Sequence, residues 1–147
     1  MNGIFFYPKF RTMKYWIIKS EPNKYSWEQM QKDGTTFWDG IRNYTARLNL
    51  RDMQVGDICL FYHSNIGLEL VSITKVIRTA YQDPTTDDDR WVAVDIKVVK
   101  SLKNPVTLRE MKAEKSFQNM DLIRISRLSV GKVSEAEYLE IIKMSER

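Results

Sequence analysis

The sequence is poor in the residues that build disulfides and metal sites: its 147 residues include one cysteine, Cys59, and one histidine, His63. A single cysteine cannot form a disulfide within the chain. It lies in the apolar run 58–62, where we expect a small buried hydrophobic side chain. A tetrahedral zinc site needs four ligands, mostly cysteine or histidine. We therefore expect no metal site and no cofactor.

Long hydrophobic runs are also absent. No apolar stretch approaches the roughly 20 residues that span a bilayer, and Ile4–Tyr7 is ended by Pro8 and Lys9. That stretch is too short for a signal-peptide core, and no small-residue cleavage site follows it. We interpret residues 1–12 as a leader outside the fold and residues 13–147 as one domain. Without a membrane segment or targeting signal, the expected location is the cytoplasm, or the nucleus if the source is a eukaryote.

A large excess of positive charge is missing as well. The chain has 23 basic and 19 acidic side chains, a net charge of +4. Residues 1–12 hold Lys9 and Arg11 and no acid, so the remainder carries only +2, from 21 basic and 19 acidic residues. Attraction to a nucleic acid must then come from a local patch and not from the field of the whole molecule. We expect a monomer.

Short strand and helix patterns follow one another irregularly along the chain. Apolar or alternating runs predict strands at 15–18, 58–63, 68–77, 91–99 and 122–130. The capping residues Ser26, Asn43, Thr107 and Ser134 predict short helices at about 27–33, at about 44–52, after 107 and after 134. Segment 82–90, with three consecutive aspartates, is typical of a mobile acidic loop.

This order of elements predicts an α+β fold. We expect a curled or barrel-like mixed β-sheet of about five or six strands, decorated by three or four short peripheral helices. Strands do not alternate regularly with long helices, which argues against a doubly wound α/β fold.

Three segments place polar side chains at the end of a buried strand or beside a large aromatic residue: Lys19–Pro22, Phe37–Tyr44 and Phe61–Ser64. A pocket for a single base needs this combination. We expect Trp38 to lie in a loop that contains Gly40 and leads into a helix. Its ring would stack on the base, contributing roughly 1–3 kcal/mol, and strand-end polar groups would read the edge of the base. The helix that starts after Asn43 would offer amides to a phosphate. Three arginines would add charge nearby: Arg42, Arg47 and Arg51.

Each of these features also has a purely structural interpretation. Trp38 is also explained by a role in capping the core. Lys19 and Glu21 can form a solvated surface pair that contributes at most about 1 kcal/mol, and His63 can be an ordinary hydrogen-bonded residue at a strand end. The arginines fit a solvated helix face. Both interpretations stay open on the residues alone.

The same segments, in the same order, resemble the EVE domain of the PUA-like superfamily. The similarity covers nearly all of residues 14–147. It is carried by six ordered motifs: Tyr15–Pro22, Trp38–Tyr44, Val55–Asp57 leading to Phe61–Ser64, Arg90–Asp95, Pro105–Leu108 and Arg127–Val130. Six motifs at consistent spacing are hard to obtain by chance. Two positions depart from the pattern: Thr45 stands where many members carry glutamine, and Ser72 where glycine is usual.

The resemblance implies a PUA-like barrel and a distant relationship to the YTH domain, which holds a methylated adenine in an aromatic cage. It implies that Trp38 is a wall of the pocket. The other pocket residues would be Lys19, Ser20, Glu21, Pro22, Asn43, Tyr44, Tyr62, His63, Ser64 and Ser129. Contacts to the phosphate backbone would come from Arg42, Arg47, Arg51 and Arg127. The expected partner is DNA or RNA that carries a modified base, for example a modified cytosine.

Three functions compete at this point, and we favour the first. It is a non-catalytic module that captures a flipped, modified base. The second is an enzyme acting on RNA or a modified nucleoside, with His63, Lys19 and Glu21 as acid–base groups; the chain has no Gly-rich phosphate loop, metal-ligand spacing or nucleophile motif to support it. The third is an adaptor that acts through the acidic loop 82–90 and the strand edges.

Overall fold

The computed structural model of the protein describes residues 12–147, so the predicted leader lies, apart from Thr12, outside the described residues. The strands are β1 (Tyr15–Ser20), β2 (Thr35–Trp38), β3 (Ile58–His63), β4 (Glu69–Gln82), β5 (Val92–Thr107) and β6 (Val130–Val133). The α-helices are α1 (Trp27–Asp33), α2 (Tyr44–Asp52), α3 (Leu108–Lys112), α4 (Asp121–Arg124) and α5 (Glu135–Ser145), and a 3-10 turn covers Lys115–Phe117. The predicted α+β class is confirmed, with one α-helix more than expected in this part of the chain.

The six strands form one mixed sheet in the order β2-β5-β4-β3-β1-β6. β1 pairs with β3 in parallel, and the other neighbouring strands are antiparallel. The parallel pair places the ends of β1 and β3 side by side, because Ser20 lies opposite His63. The two polar segments Lys19–Pro22 and Phe61–Ser64 therefore leave the sheet side by side, at the same end of these neighbouring strands.

The sheet is strongly curled. β4 and β5 are 14 and 16 residues long, and their pairing is interrupted by four register shifts; such irregularities bend a strand and increase its twist. Trp38 at the end of β2 reaches Phe61 of β3, with 5.7 Å between the ring centroids, although β5 and β4 lie between these two strands in the sheet. The expected curled, barrel-like sheet is confirmed.

Each face of the sheet buries its own apolar core, because side chains alternate along the strands. In β1, Trp16 and Ile18 belong to the first core, which α1 and α2 cover, whereas Ile17 belongs to the second. The second core is covered by the helices after β5, through residues such as Phe117 and Ile141. Burial on both faces explains why the first four residues of β1, Tyr15–Ile18, are all apolar.

The predicted bounds of α1 and α2 are confirmed, because their capping residues act as the sequence indicates. The side chains of Ser26 and Asn43 each accept a hydrogen bond from the amide three residues further on, at 3.0 Å in both helices. Complete capping boxes at Thr107 and Ser134 begin α3 and α5. Each cap satisfies a backbone amide that would otherwise lack a partner at the start of the helix.

Two predictions of secondary structure were wrong. Trp38 ends the edge strand β2 and does not lie in a loop, since Thr35–Trp38 pairs with β5. Residues 122–130, predicted as a strand from their alternating apolar residues, form α4, a turn and the first residue of β6. The carboxylate of Asp121 accepts the amide of Lys132 at 2.9 Å and fixes the start of α4 beside β6. This tertiary contact prevails over the local alternation.

A buried carboxylate, that of Asp57, fixes the turn before β3. The residue is 2% exposed, and its oxygens accept hydrogen bonds from the indole Nε1 of Trp16 at 3.0 Å and from the amides of Lys14 and Gln54 at 3.1 and 3.0 Å. Trp16 belongs to β1, Lys14 directly precedes that strand, and Gln54 lies in the segment between α2 and β3. The Asp57 side chain therefore ties the first strand to the turn that starts the third.

We expect Asp57→Asn to lower the free energy of unfolding by about 2–3 kcal/mol, because the amide nitrogen must face buried donors. Urea unfolding of both proteins measures this difference. Glu28→Gln is the matched control, since Glu28 forms only an exposed ion pair with Lys32 and should change stability by about 0.5 kcal/mol or less. Equal stability of Asp57→Asn and the native chain would contradict this role.

A second buried carboxylate, that of Asp83, anchors the loop after β4. It accepts hydrogen bonds from the amide of Gly40 at 2.8 Å, from the guanidinium of Arg42 at 2.9 Å and from the amide of Thr85 at 2.7 Å. Burial alone would raise the pKa of this carboxyl, but the hydrogen bonds from Thr85, Arg42 and Gly40 lower it to about 2. The predicted mobile acidic loop 82–90 is thus tied at its base to the segment that links β2 to α2.

The depressed pKa of Asp83 gives stability a pH dependence. The pKa falls from 3.8 to about 2 on folding, so the contribution is complete above pH about 4 and is lost as the pH falls toward about 2. We expect Asp83→Asn to be about 2 kcal/mol less stable at pH 7, with the difference shrinking below pH about 4. Urea unfolding across this range tests the prediction against exposed Asp87→Asn, and a constant difference would contradict it.

Candidate functional site

A cavity of about 330 Å³ lies between the exit of β1 and the end of β2. Its lining residues come from these two chain segments and are Lys19, Ser20, Glu21, Lys24, Tyr25, Thr36, Phe37, Trp38 and Asp39. The two segments are distant in the sheet order, and only the curl of the sheet brings them together. Four predicted pocket residues share this cavity: Lys19, Ser20, Glu21 and Trp38.

Trp38 belongs both to the first core and to the wall of the cavity. Its side chain is 8% exposed and packs with the core, while its ring meets Phe61 edge-on at 5.7 Å and Tyr25 edge-on at 6.2 Å. The two interpretations that the sequence left open for this residue are therefore compatible. Core packing fixes the indole, and the part that remains uncovered faces the cavity.

Tyr25 supplies a second aromatic wall that the sequence did not indicate. Its ring stands at 70° to that of Trp38, so the two rings make a corner. The phenol donates a hydrogen bond to the Asp33 carboxylate at 2.7 Å. Burial, reinforced by the bond to Asp33, raises the pKa of Tyr25 against a smaller lowering effect of a hydrogen bond with Thr36. The hydroxyl therefore stays protonated at neutral pH.

The polar side of the cavity is built by the end of β1. Ser20 Oγ donates to the carbonyl of Tyr25 at 2.7 Å, and the Ser20 carbonyl accepts the amide of Ser64 at 2.9 Å. Because the Ser20 hydroxyl has used its proton, its oxygen can only accept a further hydrogen bond. The Glu21 carboxylate is held between Asn65 Nδ2 at 3.2 Å and Lys24 Nζ at 3.1 Å. This side of the cavity therefore offers mainly acceptors.

Lys19 lies at the cavity, but its ammonium group points away along the other face of β1. Nζ donates to the carbonyl of Ser126 at 3.0 Å and lies 5.8 Å from the ring centre of Tyr62. Burial lowers the pKa of this amine. The backbone amide of Lys19 donates to the carbonyl of Ser129 at 3.0 Å. Ser129 therefore supports the end of β1 from outside the cavity lining.

The remaining predicted pocket residues lie around this site and do not line the cavity. Tyr62 is buried in the second core, on the opposite face of the sheet. His63 Nε2 accepts the amide of Trp27 at 3.1 Å, and Asn43 caps α2. Tyr44 is exposed and its ring contacts Trp91, at 5.4 Å between centroids. The other residues of this set are Pro22, two residues after the end of β1, and Ser64, the residue after β3.

The three residues considered for acid–base catalysis do not converge. His63 is absent from the cavity lining, its Nε2 is occupied by the Trp27 amide, and burial lowers the pKa of its imidazole. Lys19 Nζ is bound to Ser126 on the other face of β1. Glu21 lines the cavity, and its carboxylate is bound to Asn65 and Lys24. Within residues 12–147, no group of three or more His, Cys, Asp or Glu side chains is arranged to hold a metal ion.

The predicted arginines are spread over two regions. Arg42 is bound to the buried carboxylate of Asp83 at 2.9 Å. The guanidinium of Arg47 lies beside the paired rings of Tyr44 and Trp91, at 5.0 and 5.7 Å from their centres, and donates to the carbonyl of Arg90. The last two predicted arginines are exposed on α2 and after α4: Arg51 and Arg127. These two remain accessible for contact with a phosphate backbone.

The lining residues that the sequence did not indicate are Lys24, Tyr25, Thr36, Phe37 and Asp39. Phe37 and Asp39 flank Trp38 and fall inside a segment that the sequence singled out, so that segment was a usable signal. Tyr25 and Thr36 carried no such signal, because their position depends on how β2 folds over the end of β1.

In the described part of the chain, no helix is long and apolar enough to cross a membrane.

Comparison with known proteins gives a family match over most of the chain. The profile of the EVE domain matches residues 14–144. Mouse thymocyte nuclear protein 1 is 33% identical over an alignment of 166 positions. The alignment covers 90% of this chain and 74% of the mouse protein. The crystal structure of protein Atu2648 from Agrobacterium tumefaciens is 44% identical, with a TM-score of 0.88 and coverage of 90% of this chain and 92% of that chain.

Human THYN1, solved in complex with DNA that contains 5-methylcytosine, is 29% identical with a TM-score of 0.84, covering 91% of this chain and 98% of that chain. A YTH domain from Zygosaccharomyces rouxii, 16% identical with a TM-score of 0.56 over 95% of this chain and 93% of that chain, shares the fold alone. With a profile match over most of its length, the chain belongs to the EVE domain family.

Proposed function

We propose that this protein is a non-catalytic nucleic-acid-binding module that captures one flipped, modified base in the cavity beside Trp38. The observation that carries the proposal is the cavity itself, where an indole fixed by the core stands opposite the polar end of β1. Its volume of about 330 Å³ is at the lower end for small-molecule sites. A cavity of this size suits a single heterocycle better than a larger ligand.

A modified cytosine fits the chemistry of the lining. The exocyclic amine of cytosine is a hydrogen-bond donor, and the Ser20 oxygen is placed as an acceptor. A methyl group at C5 would gain contact with the aromatic rings of Tyr25, Phe37 and Trp38, which line the same cavity. That human THYN1 was solved with DNA containing 5-methylcytosine supports this choice. DNA is therefore the first partner to test, and RNA the second.

The energetics require more than one contact. Extruding a base costs a few kcal/mol, whereas stacking on one aromatic ring contributes roughly 1–3 kcal/mol. A second ring at an angle to the first, as Tyr25 stands to Trp38, adds contact without extra loss of side-chain freedom. Phosphate contacts from the exposed Arg51 and Arg127 would supply the remainder.

The absence of catalysis is part of the proposal. It is supported by the position of His63, whose Nε2 is engaged by the Trp27 amide, and by Lys19, whose ammonium group is bound on the other face of β1. The third residue of that set, Glu21, has its carboxylate bound to Asn65 and Lys24. The adaptor alternative is weakened, because two carboxylates of the acidic loop, those of Asp83 and Asp88, are engaged with Arg42 and Arg90; Asp87 and Asp89 are its exposed carboxylates.

Filling the cavity should abolish capture of the base. We expect Thr36→Phe, which places a ring in the cavity from β2, to weaken binding of a 5-methylcytosine oligonucleotide about tenfold or more, as the loss of one stacked base requires. The control is Thr35→Phe, the same change at the exposed neighbour outside this lining. Fluorescence anisotropy at low salt, about 50 mM, measures both, because phosphate contacts weaken steeply with salt.

Trp38→Leu complements this experiment and should lose binding together with stability, since truncation of a buried aromatic residue commonly costs several kcal/mol. Thr36→Phe keeps the core intact and therefore separates binding from folding. Native affinity in a folded Thr36→Phe protein would sink the proposed site. Release of a modified product from the oligonucleotide by the native protein would instead contradict the non-catalytic role.

A further inference from the structure

The loop between β3 and β4, residues 64–68, is hydrogen-bonded to the cavity lining and carries an exposed aliphatic side chain. Ile66 is 58% exposed, whereas Leu68 faces a separate cavity that it lines together with residues of α3. The side chain of Asn65 donates to the carboxylate of Glu21, which lines the cavity, at 3.2 Å. The amide of Ser64 donates to the carbonyl of Ser20, another lining residue, at 2.9 Å. Residues 64–68, which we call the rim loop, are therefore hydrogen-bonded to two residues of the cavity lining.

The rim loop holds Ile66 outward on a fixed backbone. Asn65, Gly67 and Leu68 all have positive φ angles, of 69°, 92° and 51°, a conformation that is uncommon outside glycine and asparagine. The amide of Ile66 donates to the carbonyl of Ser64 at 2.7 Å, and the carbonyl of Leu68 accepts the amide of Leu108 at 2.9 Å. The loop is thus tied at both ends, and its isoleucine has a stiff, β-branched side chain.

Exposure alone assigns no role to an aliphatic side chain, because single exposed apolar residues are normal on protein surfaces. Leu139 on α5 is exposed to the same extent, 59%. What distinguishes Ile66 is its place: it is exposed next to Asn65, in a loop that is hydrogen-bonded to two residues of the cavity lining. Leu139 therefore provides a matched control for an effect of position.

We propose that Ile66 is a wedge that enters the base stack of a duplex at the position vacated by the captured base. The inference rests on the proposed function and specifies its substrate as a double strand that carries the modified base. Extrusion of a base leaves a gap between the neighbouring base pairs, and proteins that deform DNA insert aliphatic side chains such as isoleucine between base steps. An apolar side chain in the gap restores contact with the flanking bases and opposes the return of the extruded one.

The wedge makes a prediction that the cavity alone does not. A base in a single strand leaves no paired stack to fill, so the contribution of Ile66 should be confined to duplex ligands. Loss of the cavity, in contrast, weakens binding to both forms, because each must place its base beside Trp38. The ratio of duplex to single-strand affinity therefore reports on the rim loop separately from the cavity.

The test compares the native protein, Ile66→Ser and Leu139→Ser on a DNA strand with one 5-methylcytosine, free or annealed to its complement. We expect Ile66→Ser to bind the duplex about tenfold more weakly and the single strand with affinity within about twofold of the native value. Leu139→Ser should match the native protein on both. A 2-aminopurine beside the modified base should brighten when the native protein unstacks it, and less so with Ile66→Ser.

Three results would overturn the wedge, and they differ in what they leave standing. Native duplex affinity in Ile66→Ser, with the cavity variant Thr36→Phe still impaired, removes the wedge and keeps the proposed function. An equal loss on duplex and single strand assigns Ile66 a role unrelated to the gap. Failure of the native protein to bind either ligand removes the proposed function and the wedge together.

Discussion

The contact between Trp38 and Phe61 is the constraint on which the rest of the structure depends. The two rings lie on strands separated by two others in the sheet, so they meet only because the sheet curls. Edge-to-face aromatic pairs contribute about 0.5–1.5 kcal/mol beyond the area they bury. The pair therefore holds the edge strand β2 over the exit of β1. The cavity exists because these two segments are brought together there.

The same contact decides how the site can bind. An indole that is mostly buried is pre-organised and loses little freedom when a ligand arrives, but it offers only part of its surface for stacking. A cavity of this kind needs help from a second ring, which Tyr25 provides at an angle of 70°. The polar groups opposite are also fixed by hydrogen bonds, as in the bond from Ser20 to the Tyr25 carbonyl. In the proposed function, affinity would thus come from rigid parts of the site and not from ordering on binding.

Local signals allowed much of the fold to be predicted from the sequence, but the composition of the site depended on tertiary structure. Helix caps such as Ser26 and Asn43 act within three residues and gave correct helix bounds. The apolar residues of 122–130 led to a wrong strand prediction. The hydrogen bond from the Lys132 amide to the Asp121 carboxylate, which fixes the start of α4, joins residues outside the local pattern. Tyr25 was missed since its place depends on the path of β2. The segment around Trp38 was singled out from its large aromatic residue and polar neighbours, and the resemblance to a family then implied its role.

Charge sets the balance between affinity and selectivity in this molecule. Asp83 engages Arg42 and Asp88 engages Arg90, so part of the basic charge near α2 is already compensated by the protein. Phosphate contacts bind every sequence alike, and a strong phosphate term would favour the large excess of unmodified sites. With that term kept small, discrimination falls to the groups that meet the base itself. In the proposed function, the small net charge of +2 over residues 13–147 would suit the selection of a rare base, because affinity for any other position on the same strand would stay low.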